Sequence, residues 1–414
     1  MSELSYMEKL LDGVEVEWKP LGELGELVRG NGLPKKDFTE SGVPAIHYGQ
    51  IYTYYGLSTT ETKSFVSLET AKKLKKVDTG DVVITNTSEN LEDVGKALVY
   101  LGKEQAVTGG HATIFKPSKD ILGKYFAYFT QSIIFSNEKR RYSTGTKVID
   151  VSATDMSKIN IPIPPLNVQA EIVRILDTFT ELTAELTAEL TARQQQYAYY
   201  RDECFNFNDN EVEWETLGVV SKIQRGASPR PIAKYVTDDK SGVPWIKIGD
   251  TRLGSKFVDN TAQRITFEGA EKSRVLKKGS FIMSNSMSYG RPYILGIEGA
   301  IHDGWASISD FEAKLNPDFL YHYLSSGNVK KYWESKINSS SVSNLNSDII
   351  KALPVPIPPI DEQERIASIL DKFDTLTTSL TEGLPREIEL RKQQYEYYRD
   401  QLLSFPKPEV VAHD

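Results

Sequence analysis

The 414-residue chain has a single cysteine, Cys204. One thiol cannot build an internal disulfide framework, and such sparse use fits a reducing cytoplasm, the expected location. No run approaches the ~18 apolar residues of a membrane span. The acidic start MSELSYMEKLL has neither the apolar stretch nor the cleavage site of a secretory signal. A GxxxxGK(S/T) phosphate loop is missing, as is GxGxxG, and the glycines at 22, 25, 30 and 32 suit turns. Histidines 47, 111, 302, 322 and 413 are scattered without the spacing of metal ligands. The (Asn/Asp)-Pro-Pro-(Tyr/Phe) string of amino-methyltransferases is absent too, because IPPL and IPPI lack its polar first residue. TDDK at 237–240 could supply carboxylates, but it lies in a turn-like stretch before SGVP and reads as a solvated loop. No catalytic set, cofactor or metal is therefore expected on this chain.

Net positive charge is lacking as well. The formal charge of −8 argues at first against a polyanionic partner, but it is unevenly spread. Residues 21–150 carry +2 and residues 216–350 carry +5, while the rest carry −15. Phosphate binding needs positive charge where the polyanion lies, not over the whole chain. Acidic helices with solvated faces would give the same distribution, so charge alone does not decide.

What the sequence does contain is itself, twice, at a period of roughly 196 residues. EVEW at 15–18 recurs at 211–214, Leu21-Gly22 as Leu217-Gly218, and Arg29-Gly30 as Arg225-Gly226. SGVPAIHYG (41–49) returns as SGVPWIKIG (241–249), and GGHA (109–112) has a counterpart in DGWA (303–306). IPIPPLNVQAEIVRILDTF (161–179) returns as VPIPPIDEQERIASILDKF (355–373), and RQQQYAYYRD (193–202) as RKQQYEYYRD (391–400). YMEKLL (6–11) resembles YRDQLL (398–403), so the chain starts on the tail of a unit and the repeat is circular. A pseudo-twofold pair of units, each a globular block followed by a helix, is expected.

Each block shows short β-rich runs, DVVIT (81–85), KALVYLG (96–102) and SFIMS (280–284), punctuated by turn residues. Helical stretches begin near Asp120 and after Asn316-Pro317, where proline suits a first helical position. The blocks read as mixed α/β, that is α+β. Proline lacks an amide and restricts its predecessor, so IPIPP and VPIPP end the blocks and launch helices. Asn167 and Asp361 are placed as N-caps, with Asp361 and Glu364 forming a capping box. Ile172, Ile175, Leu176, Phe179, Leu182, Leu186 and Leu190 follow the spacing of one apolar helix face, which Tyr197 and Tyr200 continue. As one helix, residues 167–203 would span about 55 Å. The second helix repeats the face through Ile366, Ile369, Leu370 and Phe373, and an antiparallel coiled coil is predicted. Gly383-Leu384-Pro385 is expected to break that second helix.

Within the first helix TAELTAEL (183–190) repeats a four-residue unit. Aligning the two helices needs an offset of 194 residues before this tract and 198 after it, a difference of one unit. Four residues add about one turn, ~6 Å, and return the face to within ~40°. The tract suits a helix whose length changes in steps, and equally a good helix-forming sequence on a solvated coiled coil.

With these strings in hand the chain resembles, over essentially its whole length, the specificity subunits of bacterial type I restriction–modification enzymes. The tetrapeptide tract points to the subclass with such repeats in the central helix. The resemblance implies a DNA-binding subunit without catalytic residues of its own, with two target-recognition domains, each reading one half of a bipartite site on double-stranded DNA. It implies helices that set the spacing and dock two modification subunits, which methylate adenine with S-adenosylmethionine. Restriction subunits, with ATP and Mg, complete that complex. The corresponding organisation is a segment at 1–13 completing the repeat, recognition domains at 14–160 and 210–354, a central helix at 161–209, and a C-terminal helix and tail at 355–414. A coiled-coil adaptor that binds proteins rather than DNA is the alternative.

Base reading needs polar side chains that reach groove edges, with phosphate contacts setting register. Candidates near strand ends are His47, Gln50, Asn86 and Lys96 in the first block and Lys247, Arg252, Asn285 and Arg291 in the second. The basic, hydroxyl-rich segment at 139–147 adds Lys139, Arg140, Arg141, Thr144 and Lys147, and its counterpart adds Lys336, Ser340 and Asn344. An ordinary surface role is the competing reading for each. Trp18 and Trp214, at the same point of both units, read as packing residues and not stacking platforms.

Overall fold

The computed structural model describes residues 6–208, 211–252, 254–285, 289–338, 345–379 and 381–406. Two compact units emerge, one of residues 1–183 with 391–414, the other of residues 184–390. The first thus joins segments from both ends of the chain, as the circular repeat requires.

The first unit contains two five-stranded sheets. One runs in the order Gly25–Arg29, Ala112–Pro117, Val82–Thr85, Ala97–Tyr100, Ser58–Thr59. The other runs Phe38–Thr39, Ser64–Val66, Val43–Ile46, Ala106–Thr108, Lys75–Val77. Val82–Thr85 and Ala97–Tyr100 are buried along their whole length, which is why the sequence shows continuous apolar runs there instead of alternation. Most pairings are antiparallel, but Val43–Ile46 and Ala106–Thr108 run parallel side by side. The close approach of Gly30 to the Gly109 carbonyl, which a Cβ would meet at 2.1 Å, explains the repeated Arg-Gly.

The second unit repeats this order strand for strand. Its first sheet runs Lys222–Arg225, Trp305–Ser309, Phe281–Ser284, Pro292–Leu295, Phe257–Val258. Its second runs Val236–Thr237, Gln263–Ile265, Val243–Ile246, Gly299–Ile301, Arg274–Leu276, again with a parallel central pair. Gly226 meets the His302 carbonyl as Gly30 meets Gly109.

The Pro-rich strings are strands. Asn160–Ile163 pairs with Glu17–Pro20, setting Pro162 opposite Trp18, and Pro354–Ile357 pairs with Glu213–Thr216, setting Pro356 opposite Trp214. A two-stranded ribbon leaves outer edges that tolerate proline. The repeated EVEW and IPIPP strings are therefore the two sides of one closure at the base of each block. Trp18 packs edge-on to Phe129 and its Nε1 donates to the Pro406 carbonyl at 2.8 Å, the packing role expected of it.

Helices follow the ribbons. The first is continuous from Leu166–Cys204. Neither predicted N-cap forms: the helices start at Leu166 and at Ile360, the latter behind Pro359 with no side-chain cap, so Asn167 and Asp361 lie inside the first turn and Glu364 in the second. A buried glutamine serves instead. Gln169 Nε2 donates to the carbonyls of Pro164 and Asp120, both at 2.9 Å, and its Oε1 accepts from Leu122 N at 2.9 Å. In the second unit Gln363 makes the same three bonds with Pro358, Lys314 and Asn316. Each amide ties the ribbon, the helix start and the approach to the block's own helix into one joint.

The apolar helix face has a different destination from the predicted coiled coil over its first turns. Ile172 and Leu176 enter the core of the first unit with Phe115, Phe126, Leu402, Leu403 and Phe405, while Ile366 and Leu370 enter that of the second with Phe281, Phe319 and Leu353. Each helix start belongs to its own block because the block offers the larger apolar surface. Helix pairing takes over further along. Within the first unit Phe179 stacks on Tyr398 at 5.4 Å, with Ile175 half-buried nearby. Within the second, Tyr197 stacks on Phe373 at 6.1 Å and Gln194 reaches the Thr377 carbonyl, so the chains run antiparallel there. Leu182, Leu186 and Leu190 are only half-buried, and Ile369 is 36% exposed.

The second helix is interrupted as expected, but earlier. It consists of Ile360–Thr378 and Gly383–Leu402. Gly383 takes φ +76°, and Pro385 falls in the first turn of the new helix, where a missing amide costs nothing.

Candidate nucleic-acid interface

In both units the parallel strand pair of one sheet and the central strand of the other bring several loops together at the strands' C-terminal ends, the edge at which open sheets with parallel strands commonly bind ligands. In the first unit His47 follows Val43–Ile46, His111 follows Ala106–Thr108, and Asn86-Thr87 follow Val82–Thr85. Tyr48 lies between the two imidazoles, 4.6 Å from His47 and 4.8 Å from His111 by ring centres. Tyr52 donates to the Thr87 carbonyl at 2.6 Å, and Thr87 Oγ1 is 3.0 Å from His111 Nδ1. Beside this cluster opens a cavity of about 850 Å³ lined by Lys35, Phe38, His47, Gln50, Tyr52 and Asn90. Gln50 Nε2 is held by Ser64 Oγ, and its Oε1 is buried without a partner among the described residues. His47 caps the short helix Tyr48–Thr53 by accepting from Gly49 N at 3.2 Å. Burial, then the Lys35 ammonium and His111, hold its pKa below the ordinary imidazole value, which keeps this acceptor nitrogen unprotonated.

The second unit has a different chemistry at the same edge. Lys247 follows Val243–Ile246, and His302-Asp303 follow Gly299–Ile301. Asp303 gathers Ser228 Oγ at 2.8 Å, His302 Nε2 at 3.0 Å and Arg230 at 3.5 Å, while its carbonyl accepts from Arg225 Nε and Asn285 Nδ2, both at 3.1 Å. Burial pushes the Asp303 carboxyl upward, but the Ser228 bond, His302 and Arg230 outweigh it and leave the pKa below the usual carboxylate range. Lys247 Nζ donates to Gln263 Oε1 at 2.8 Å.

The other candidates separate by burial. Asn86 is fully buried, donating to the Val151 carbonyl at 2.7 Å and accepting from Thr113 Oγ1 at 2.9 Å, so it braces the edge and presents nothing to a ligand. Lys139 is not in a basic loop but inside the helix Ile133–Tyr142, where its Nζ ties down the carbonyls of Glu92 and Val94. Lys96 is half-buried, and Asn285 is buried against Asp303. Arg140, Arg141, Thr144, Lys147, Arg252 and Arg291 are exposed, Arg141 beside Glu138 at 3.3 Å. Lys336 is exposed with its ammonium over the Tyr332 ring. Ser340 and Asn344 lie outside the described residues.

Burial also makes Lys139 titrate early, pushing its pKa down to about 8 against the upward pull of Asp93 and Glu92. Between pH ~8 and ~10.5 the unfolded chain holds a proton that the folded chain has lost, so stability rises with pH across that window. Urea unfolding of the parent against Lys139→Met is expected to show the parent gaining stability relative to the variant from pH 8 to 10. A pH-independent difference would contradict this environment.

Sequence reasoning missed several residues that the two units share. The buried Gln169 and Gln363 stand out, and so do Asp177 and Asp371. Asp177 accepts from Tyr128 at 2.7 Å and pairs with Lys124 at 2.8 Å, whereas Asp371 meets His322 at 2.8 Å and Lys256 at 2.7 Å. Their signal was present as the Gln and Asp common to both VQAEIVRILD and EQERIASILD.

The long helices expose aromatic residues instead of burying them all. Tyr397 and Tyr398 border a groove of about 580 Å³ in the first unit, shared with Met7 and Phe179, and Tyr199 and Tyr200 are exposed in the second. Among the described residues no helix is long and apolar enough to cross a membrane, and no three His, Cys, Asp or Glu side chains are placed to hold a metal ion.

A family model for the type I restriction modification DNA specificity domain matches residues 13–193 and again 211–390. The chain is 36% identical to the Escherichia coli type I restriction enzyme EcoR124I/EcoR124II specificity subunit, with 100% of each chain covered. It is 31% identical to a putative type I restriction enzyme specificity subunit of Haemophilus influenzae, over 97% of this chain and 98% of that one. Among solved structures, one that concerns complex assembly and conformational transition of the type I R-M system aligns with a TM-score of 0.65 at 16% identity, covering 94% and 98% of the two chains. The S subunit from M. genitalium aligns with a TM-score of 0.54 at 13% identity, over 96% and 98%.

Proposed function

The chain belongs to the type I restriction–modification DNA specificity family, and from that premise we propose that it is the recognition subunit of such a system, each unit reading one half of a bipartite DNA target. The observation that supports this best is the shared sheet edge. One strand order builds it in both units, yet it carries His47, Tyr48, Gln50 and His111 in one and Arg230, Lys247, His302 and Asp303 in the other. Equal scaffolds with unlike hydrogen-bonding groups imply unlike half-sites, and so an asymmetric target. The exposed Arg140, Arg141, Lys147, Arg252 and Lys336 are suited to backbone phosphates, which set register without reading sequence.

In this reading residues 14–160 and 210–354 are the recognition domains, and the helices set the interval between half-sites. Two modification subunits dock on the exposed tyrosines of the helices, Tyr199 and Tyr200 for one and Tyr397 and Tyr398 for the other. Adenine methylation with S-adenosylmethionine, and restriction with ATP and Mg, take place on those partner subunits. The adaptor alternative is not favoured by a family defined by DNA specificity.

The test is co-expression with a cognate modification subunit, followed by mapping of methylated adenines across a genome by single-molecule sequencing. One two-part motif with unlike halves and a fixed gap is the expected result. A palindromic motif would refute the asymmetric reading, and failure to form a complex would refute the recognition role.

A further inference from the structure

The string YYRD occurs in both units, and its arginine has two different fates. In the first unit Arg399 is spent on its neighbour: Nε and Nη2 reach the Asp400 carboxylate at 3.1 and 3.0 Å. In the second unit the equivalent Asp202 is engaged elsewhere, its Oδ1 accepting from Gly327 N at 2.8 Å at the start of the helix Gly327–Asn338. Arg201 consequently has no carboxylate partner among the described residues. Its guanidinium lies over the Tyr197 ring at 5.0 Å, and its Nε is buried without a hydrogen-bond acceptor among the described residues.

A second difference opens space beside it. Lys139 of the first unit sits in its helix where Trp333 sits in the second, and the Lys139 ammonium is consumed by two carbonyls. Trp333 is 2% exposed, and its Nε1–H finds no acceptor among the described residues. Between these groups lies a cavity of about 680 Å³ whose lining includes Arg201, Tyr289, Arg291, Lys330, Trp333 and Asp374. Arg291 and Lys330 are exposed on its rim. Among the described residues Asp374 is the one carboxyl group of the lining, and burial raises its pKa. Two buried donors without acceptors, three cationic side chains and space for a tetrahedral group form a site for an oxyanion.

We propose that this cavity holds one phosphate of the DNA backbone, clamped by Arg201 and the Trp333 indole with Arg291 and Lys330 at its mouth. The proposal rests on the recognition role argued above and adds an asymmetry to it: only the second unit grips the backbone in this way, so the two half-sites are held by unlike means.

The test uses the complex with the modification subunit and measures duplex affinity against salt for the parent, Arg291→Gln, Lys330→Gln and Trp333→Phe. Losing a phosphate contact makes the slope of log affinity against log salt shallower by ~0.9. Arg291→Gln and Lys330→Gln should each move the slope by up to that amount, weakening cognate and scrambled duplexes by the same factor and leaving the methylated motif unchanged. Trp333→Phe keeps an aromatic ring in the core while removing the donor, and roughly a tenfold or greater weakening is expected from losing one hydrogen bond to an anion. Inorganic phosphate should compete with duplex in the parent more effectively than in Arg291→Gln. Unchanged slopes in both charge variants would overturn the proposal. So would a loss confined to one base of the motif, which would make the cavity a base-reading site, or a loss of modification-subunit binding with duplex binding intact, which would assign it to a protein carboxylate. A parent complex with no salt-dependent duplex binding would remove the recognition role itself, an outcome distinct from all of these.

Discussion

Inserting one further Thr-Ala-Glu-Leu after Leu190 should shift methylation to targets with the same two half-sites and a gap wider by one or two base pairs. The helix itself sets this expectation. Leu166–Cys204 is continuous through the tract, and Leu182, Leu186 and Leu190 recur at intervals of four without entering either core. Four extra residues lengthen the helix by ~6 Å and turn its downstream part by ~40°. B-DNA advances about 3.4 Å and turns about 36° per base pair. The added rotation therefore matches one base pair while the added length approaches two, and the gap must settle between them. A two-residue insertion at the same point turns the remainder by ~200°, putting Leu190 and Tyr197 on opposite faces, and methylation should be lost. Sequencing of methylated adenines in the two insertion strains distinguishes these outcomes. Altered half-site bases in the four-residue variant, or equal tolerance of both insertions, would defeat the spacing role.

A comparable loss, this time of stability, is expected from Gln363→Leu. Leucine matches the space but leaves the Asn316 amide and the carbonyls of Lys314 and Pro358 without partners in a site that is 1% exposed. Each orphaned buried group costs about 1–3 kcal/mol, so a destabilisation of roughly 3–5 kcal/mol is reasonable for a cluster that partly relaxes. Gln363→Glu isolates one part of the effect. It retains an acceptor for Asn316 N but cannot donate, and it sets a carboxylate against two carbonyls. Both variants should lower the urea midpoint of the second unit, and Gln169→Leu should do the same to the first. A midpoint within experimental error of the parent for Gln363→Leu would show that the joint is dispensable.

The spacer tract and the glutamine joint also mark where the sequence could be read and where it could not. Framework strings such as EVEW and IPIPP were legible because each appears twice, and duplication announces a unit before its structure is known. Val82–Thr85 and Phe281–Ser284 were legible because strands buried on both faces are written as unbroken apolar runs. Gln169 and Gln363 were not, because their partners at Asp120 and Lys314 are 49 residues upstream and an amide on a helix otherwise signals solvent. Asp361 looked like a cap for the complementary reason: local propensity favours it, yet the preceding proline already starts the helix and the glutamine satisfies the backbone. Lys139 shows the limit most clearly. KRRYSTGTK reads as a basic loop, but the helix Ile133–Tyr142 runs into it and turns its first lysine inward. Burial of a single polar side chain is decided by tertiary geometry, and the proposed DNA-facing edge is made of such decisions. The edge could be located from the strand pattern, but its chemistry could not be listed.

Leu402, Leu403 and Phe405 lie in the same core as Ile172 and Phe115, with Leu10 and Leu11 packed against it. The first and last stretches of the described chain are thus neighbours in the interior of one body, while the chain passes from one body to the other at Thr183–Ala184 and again at Leu390–Arg391. In a ring the choice of where to cut is free. A polypeptide reading 211 to 406, bridged to 6 and ending at 208, would contain the same two units in the opposite order. Order along the chain and molecular anatomy are here separate matters: Leu10 and Leu403, nearly the whole sequence apart, lie on one seam of the folded unit.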